Sequence, residues 1–92
     1  MARLKYEDAA EKVKQAAREA FPNARKIATR SGGLHEEVHL LIVADEFDDL
    51  PRYQVYEHAK NEILSRLDAD TQAQFFLEKV YSTNDAAKAA MW

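Results

Sequence analysis

The sequence predicts a small α+β domain in which helices cover one face of a three-stranded mixed sheet, in the order helix, strand, strand, helix, strand, helix. Three observations carry that prediction. Apolar residues recur at helical spacing near the start of the chain and again after Pro51. A short continuous apolar run, Val38–Ala44, lies between them. Ser31-Gly32-Gly33, the strongest turn signal present, separates that run from a weakly alternating segment. No repeat, low-complexity tract or composition shift divides residues 1–92, which read as a single domain.

The first element spans Lys5 to Phe21. Tyr6, Ala9, Ala10, Val13, Ala16, Ala17, Ala20 and Phe21 form one stripe, and Glu7, Asp8, Glu11, Lys12, Lys14, Gln15, Arg18 and Glu19 the opposite face. Acidic residues in its first turn suit the helix dipole, and Pro22-Asn23 stops it. The stripe is mostly alanine, so this helix can lie close against a sheet. Ala24–Arg30 alternates weakly and reads as a short strand, followed by the Ser31-Gly32-Gly33 turn. Val38–Ala44, bounded by Gly32-Gly33 and Asp45-Glu46, suits a central strand covered on at least one face.

After Asp48-Asp49, Pro51 is placed as a first-turn proline behind an acidic cap. Tyr56, Ala59, Ile63, Leu64 and Leu67 continue that helix up to Asp68. Gln72–Tyr81, with Phe75-Phe76-Leu77 and Val80-Tyr81, reads as the last strand; Phe75 and Phe76 point to opposite faces, which would set one on the open sheet face, but both are expected in the core. Ser82-Thr83-Asn84-Asp85 has capping-box spacing and opens a helix from Asp85 to Met91. Trp92 is expected to fray unless it packs back on the sheet or into a partner. The glycine turn makes the first two strands an antiparallel hairpin. A helical crossover makes the second and third parallel and right-handed. The sheet face away from the helices is left either solvated or as a contact surface.

Composition narrows the function classes. The chain is 47% hydrophobic and 32% charged, which fits a globular domain rather than a disordered or collagenous one. There is no cysteine, which excludes disulfides, thiolate chemistry and cysteine-ligated zinc. A formal charge of −3 argues against a duplex-coating protein. No apolar run approaches the ~20 residues that span a bilayer, and Met1–Glu7 lacks an apolar signal core; a cytoplasmic setting with no membrane contact is expected.

His35-Glu36-Glu37-Val38-His39 matches the H-E-x-x-H string of zinc hydrolases. That chemistry needs a helix, where residues four apart are ~6 Å from each other on one face. On a strand the two imidazoles point the same way but stand ~13 Å apart, at ~3.3 Å per residue. The flanking sequence favours a strand, and His58 is the only other histidine. The acidic group Asp45, Glu46, Asp48 and Asp49 suits helix capping and loop solvation better than a magnesium site. Arg25, Lys26 and Arg30 cluster on the first strand and turn, and Tyr53 and Tyr56 lie near Arg52. Basic and aromatic residues together are the means by which single strands are held, although the overall acidity favours a solvated face.

Three stretches carry a family resemblance. Val38-His39-Leu40-Leu41-Ile42-Val43-Ala44-Asp45-Glu46-Phe47 resembles the central strand of BolA-like proteins. Val55-Tyr56-Glu57-His58-Ala59-Lys60-Asn61-Glu62-Ile63 is similar to the start of that family's long helix. Leu77-Glu78-Lys79-Val80-Tyr81-Ser82 is similar to its last strand. The resemblance covers about residues 6 to 85 and implies a fold related to the type II KH fold. The family's Arg-His-Arg signature falls on Pro51-Arg52-Tyr53, and the histidine opening its last strand falls near Gln74. His35 is the remaining carry-over toward an iron–sulfur ligand. The resemblance therefore implies the fold more than a shared cluster with monothiol glutaredoxins.

The function expected is a non-enzymatic interaction or regulatory module, BolA-like or KH-like, that binds a protein partner or, second, nucleic acid. Arg25, Lys26, Arg30, Arg52, Tyr53 and Tyr56 are its expected binding residues, with no catalytic residue, metal or cofactor. Two alternatives stand beside it. One is a minimal zinc hydrolase with His35 and His39 as ligands and Glu36 as base. The other is a ligand-free domain that covers spare apolar surface by homodimerising.

Overall fold

A computed structural model describes residues 4–33, 36–83 and 85. Its elements are α1 (Tyr6–Ala20), β1 (Lys26–Gly32), β2 (Glu37–Val43), a 3-10 turn (Asp45–Phe47), α2 (Arg52–Leu64), α3 (Ala69–Gln74) and β3 (Phe75–Tyr81). The order is α-β-β-α-α-β, an α+β domain with a mixed sheet.

The strands lie in the order β1-β2-β3. β1 and β2 are antiparallel, with Ile27 opposite Ile42 and Arg30 opposite His39. β2 and β3 are parallel, as a helical crossover requires. Alternation sends Val38, Leu40 and Ile42 of β2 to one face, where they meet Ala9, Ala10, Val13, Ala16 and Ala17 of α1 and Val55, Ala59 and Ile63 of α2. The alanine stripe brings α1 close to the sheet, and Phe21 and Phe47 close one end of the core edge-to-face, 5.1 Å between ring centroids. On the opposite face Leu41 and Val43 are also buried and pack with Ala28 and Tyr81. β2 is thus covered on both faces, which is why it reads as a continuous apolar run.

The register of β3 shifts between Leu40 and Leu41: Leu40 is opposite Leu77, and Leu41 is opposite Lys79. Glu78 is the extra, bulged residue. Leu77 and Val80 consequently both reach the helix-side core, although a regular strand would turn residues three apart to opposite faces.

Four sequence expectations are corrected. Ser31 and Gly32 belong to β1, because Gly32 pairs with Glu37; the turn begins at Gly33, with φ 70°, and ends at Glu36, with φ 57°. The helix after Pro51 ends at Leu64 rather than Asp68, and Pro51 precedes it with no side-chain cap from Asp48 or Asp49. Gln72–Gln74 are helical, not strand: the Asp68 side chain accepts from the Thr71 N–H at 2.8 Å and starts α3, while Gln72, Ala73 and Gln74 lack the branched side chains a strand favours. Phe76 is not in the core but half exposed; only Phe75 packs against it. The expected helix from Asp85 to Met91 and the position of Trp92 lie outside the described residues, apart from a turn in which the Asp85 N–H donates to the Ser82 carbonyl.

Candidate functional site

The six expected binding residues divide between the two ends of the sheet's width. Lys26 and Arg30 lie on β1, in register with Val43 and His39, on the face away from the helices. Arg25 precedes β1. Arg52, Tyr53 and Tyr56 begin α2, and Tyr56 reaches across to donate its hydroxyl to the Leu77 carbonyl of β3, at 2.9 Å. With β2 between β1 and β3, the two groups stand roughly 10 Å apart across the sheet.

Two of the basic residues are matched to carboxylates. Arg25 Nε donates to Asp45 Oδ1 at 2.7 Å; this hydrogen bond and the Asp45 charge raise the guanidinium pKa further. Arg30 donates to Glu78 Oε2 across the sheet. The acidic loop is likewise occupied within the fold. Asp45 holds Arg25, and Asp48 accepts from the Thr83 hydroxyl and from its N–H, bonds that keep the Asp48 carboxyl below the usual range. Asp45 and Asp48 thus tether neighbouring segments, whereas the helix-capping role expected for this acidic group is not seen at α2.

His39 lies on β2 at the centre of a polar cluster. Its Nδ1–H donates to Glu78 Oε1 at 2.8 Å, and its ring stacks on Phe76 with centroids 4.8 Å apart. Nε2 is buried with no hydrogen-bond partner, 3.6 Å from Glu37 Oε1. Gly32 makes room for this ring, since a Cβ there would run into it. Burial alone would raise the Glu78 carboxyl; the His39 hydrogen bond and the Arg30 charge overcome it and hold the group below the usual range. The bulge at Glu78 aims this carboxylate at both basic groups.

The zinc-hydrolase string does not form the helix its chemistry needs. Glu36 is in a left-handed turn conformation and Glu37–Val43 is a strand. His35 lies outside the described residues. His58 stands on α2 against Phe21, on the other side of the sheet from His39. Among the described residues, no three His, Asp or Glu side chains gather as a metal site would require.

What sequence reasoning missed is the outer edge of β3. Among the described residues, the large apolar side chains left exposed are Tyr53 (75%), Tyr56 (37%) and Phe76 (50%). Tyr56 and Phe76 line one cleft of about 240 Å³ with Lys60, Leu64, Gln72 and Phe75. On the other side of Tyr56, a cleft of about 360 Å³ runs between Phe47, Leu50 and Val55 and the β3 residues Glu78–Tyr81. Tyr53 stands one helical turn before Tyr56. The available signal was two tyrosines three apart beside a strand with adjacent phenylalanines.

No protein-family model matches this chain, and no curated protein matches it.

Proposed function

We propose that this chain is a non-enzymatic interaction module of BolA-like or KH-like fold whose contact surface is the edge formed by α2 and β3, and that its partner is a protein. The single observation that carries this reading is that the exposed aromatics Tyr56 and Phe76 line one cleft at that edge, with exposed Tyr53 one helical turn before Tyr56. Exposed aromatics grouped at one place, with an edge strand beside them, have the chemistry of a protein contact. Nucleic acid is the second reading, and less supported: Arg25 and Arg30 already face Asp45 and Glu78, and the clefts carry Asp48, Glu78 and Asp85 as well as Lys79 and Lys60. The element order and the apolar central strand, followed by Ala44-Asp45, support the BolA-like kinship.

The test compares the native chain with Tyr53→Ala. The native chain should retain a partner protein at about 0.5 M salt, where phosphate contacts are weakened by orders of magnitude, and Tyr53→Ala should release it. Fluorescence anisotropy with a single-stranded oligonucleotide should detect no binding tighter than about 10⁻⁴ M at physiological salt. Oligonucleotide binding that falls steeply with salt and disappears in Lys26→Ala would overturn the reading.

A further inference from the structure

We infer that the outer edge of β3 pairs with the β3 edge of a second copy of this chain, antiparallel about a two-fold axis that passes between Glu78 and Lys79. The inference rests on the reading of the α2–β3 edge as a protein contact and names the partner.

The argument begins with six residues, Phe76-Leu77-Glu78-Lys79-Val80-Tyr81. Read outward from their centre, they are acid and base, then two aliphatics, then two aromatics. An antiparallel pair centred there sets Glu78 opposite Lys79 of the second copy, Leu77 opposite Val80, and Phe76 opposite Tyr81, each twice over. Opposite charges, aliphatic pairs and aromatic pairs are the combinations that stabilise neighbouring strands.

In a regular strand this arrangement would fail. Residues an odd number apart point to opposite faces, so an axis between two residues would set each side chain against one on the wrong face. The bulge removes that obstacle. Register with β2 puts Phe76, Lys79 and Tyr81 on the face of His39, Leu41 and Val43, and Leu77 and Val80 on the helix side; Glu78 joins His39 and Arg30 on the first face. The six residues therefore distribute between the faces symmetrically about the axis: the charged and aromatic pairs meet on the His39 face and the aliphatic pairs on the helix side.

The setting agrees. β3 is the last strand of the sheet, and among the described residues no strand pairs with its outer side. An edge strand is a template for another strand; here Lys79, a residue type that protects edges, is met by Glu78 of the second copy, and the Leu77 carbonyl also holds the Tyr56 hydroxyl. A two-fold axis normal to the sheet keeps the helices of both copies on one side. It also brings Tyr53 and Tyr56 of each α2 toward those of the other across the joined strands. The exposed aromatics of the edge then have one common explanation.

The chain has no cysteine, so introduced thiols report only on chosen positions. An equimolar mixture of Phe76→Cys and Tyr81→Cys chains should oxidise to a crosslinked heterodimer, since directly opposite strand residues fall within disulfide reach; each variant alone should crosslink poorly. In sedimentation, the native chain should rise from monomer to dimer mass with concentration. Lys79→Glu, which replaces both Glu–Lys pairs by like charges, should weaken the dimer about ten-fold or more with an unchanged circular dichroism spectrum. A native chain that stays monomeric up to about 1 mM overturns the inference. So does a dimer that neither crosslinks through positions 76 and 81 nor responds to Lys79→Glu. The partner-capture experiment with Tyr53→Ala is scored separately, so failure of self-pairing is distinct from failure of the module reading.

Discussion

Asp68 joins α1 to the start of α3 at the surface. Its carboxylate accepts from Lys12 Nζ of α1 at 2.8 Å, and from the N–H and hydroxyl of Thr71, both at 2.8 Å. The Lys12 hydrogen bond first, and the two from Thr71 next, hold its carboxyl well below the ordinary value. A carboxyl whose folded pKa is depressed adds stability that is complete above its unfolded value, near about 3.9, and is lost as pH falls through that value toward the folded one. Asp68→Asn keeps a capping side chain but removes the titration and the Lys12 ion pair. Its stability should lie below that of the native chain at neutral pH, and the two should converge below about pH 4. Urea unfolding at a series of pH values reads this; parallel pH curves would show that Asp68 carries no such linkage.

At the scale of the element, β3 is the case where a local irregularity sets the chemistry. The bulge at Glu78 lets Leu77 and Val80 share the core and points the intervening carboxylate at His39 and Arg30. Deleting Glu78 restores strict alternation and leaves Leu77 and Val80 two residues apart, so both stay on the core face and only the carboxylate is lost. The deletion also leaves His39 without its acceptor. The expected loss is roughly 1–3 kcal/mol, the range for leaving a buried polar group without its partner. Chemical denaturation measures it, and a deletion variant as stable as the native chain would mean that the His39–Glu78–Arg30 cluster adds nothing to stability. The hairpin before it is set more simply: Gly33 supplies the left-handed conformation, and Glu36 tolerates another at the far side of the turn.

Across the whole molecule, a buried glutamine ties together segments distant in the chain. Gln74 Nε2 donates to the carbonyls of Leu4 and Glu36, each at 3.0 Å, and its Oε1 accepts from the Leu4 N–H at 3.0 Å. It closes the start of the chain and the end of the hairpin turn onto α3. Gln74→Leu keeps most of the volume but leaves those backbone groups unpaired. It should destabilise the fold by about 2 kcal/mol, and amides near Leu4 should exchange faster, as hydrogen-exchange measurements would detect. The sequence by itself determined what depends on periodicity and on local chemistry. The alanine stripe of α1, the doubly covered run of β2 and the crossover order were all legible from spacing alone, as was the strand over residues 38–43 that denies the zinc-hydrolase string its helix. Only the tertiary structure decided the rest, because each remaining feature depends on a neighbour far along the chain. α3 is the exception: its Asp68–Thr71 cap is local, and a helix start at Asp68 was there to be read. Arg25 and Arg30 turn from candidate phosphate contacts into ion pairs because β1 lies beside Asp45 and within reach of Glu78. Phe76 faces outward because pairing with β2 fixes the register of β3, and that register, with its one extra residue, makes an edge of this sheet symmetric enough to meet itself.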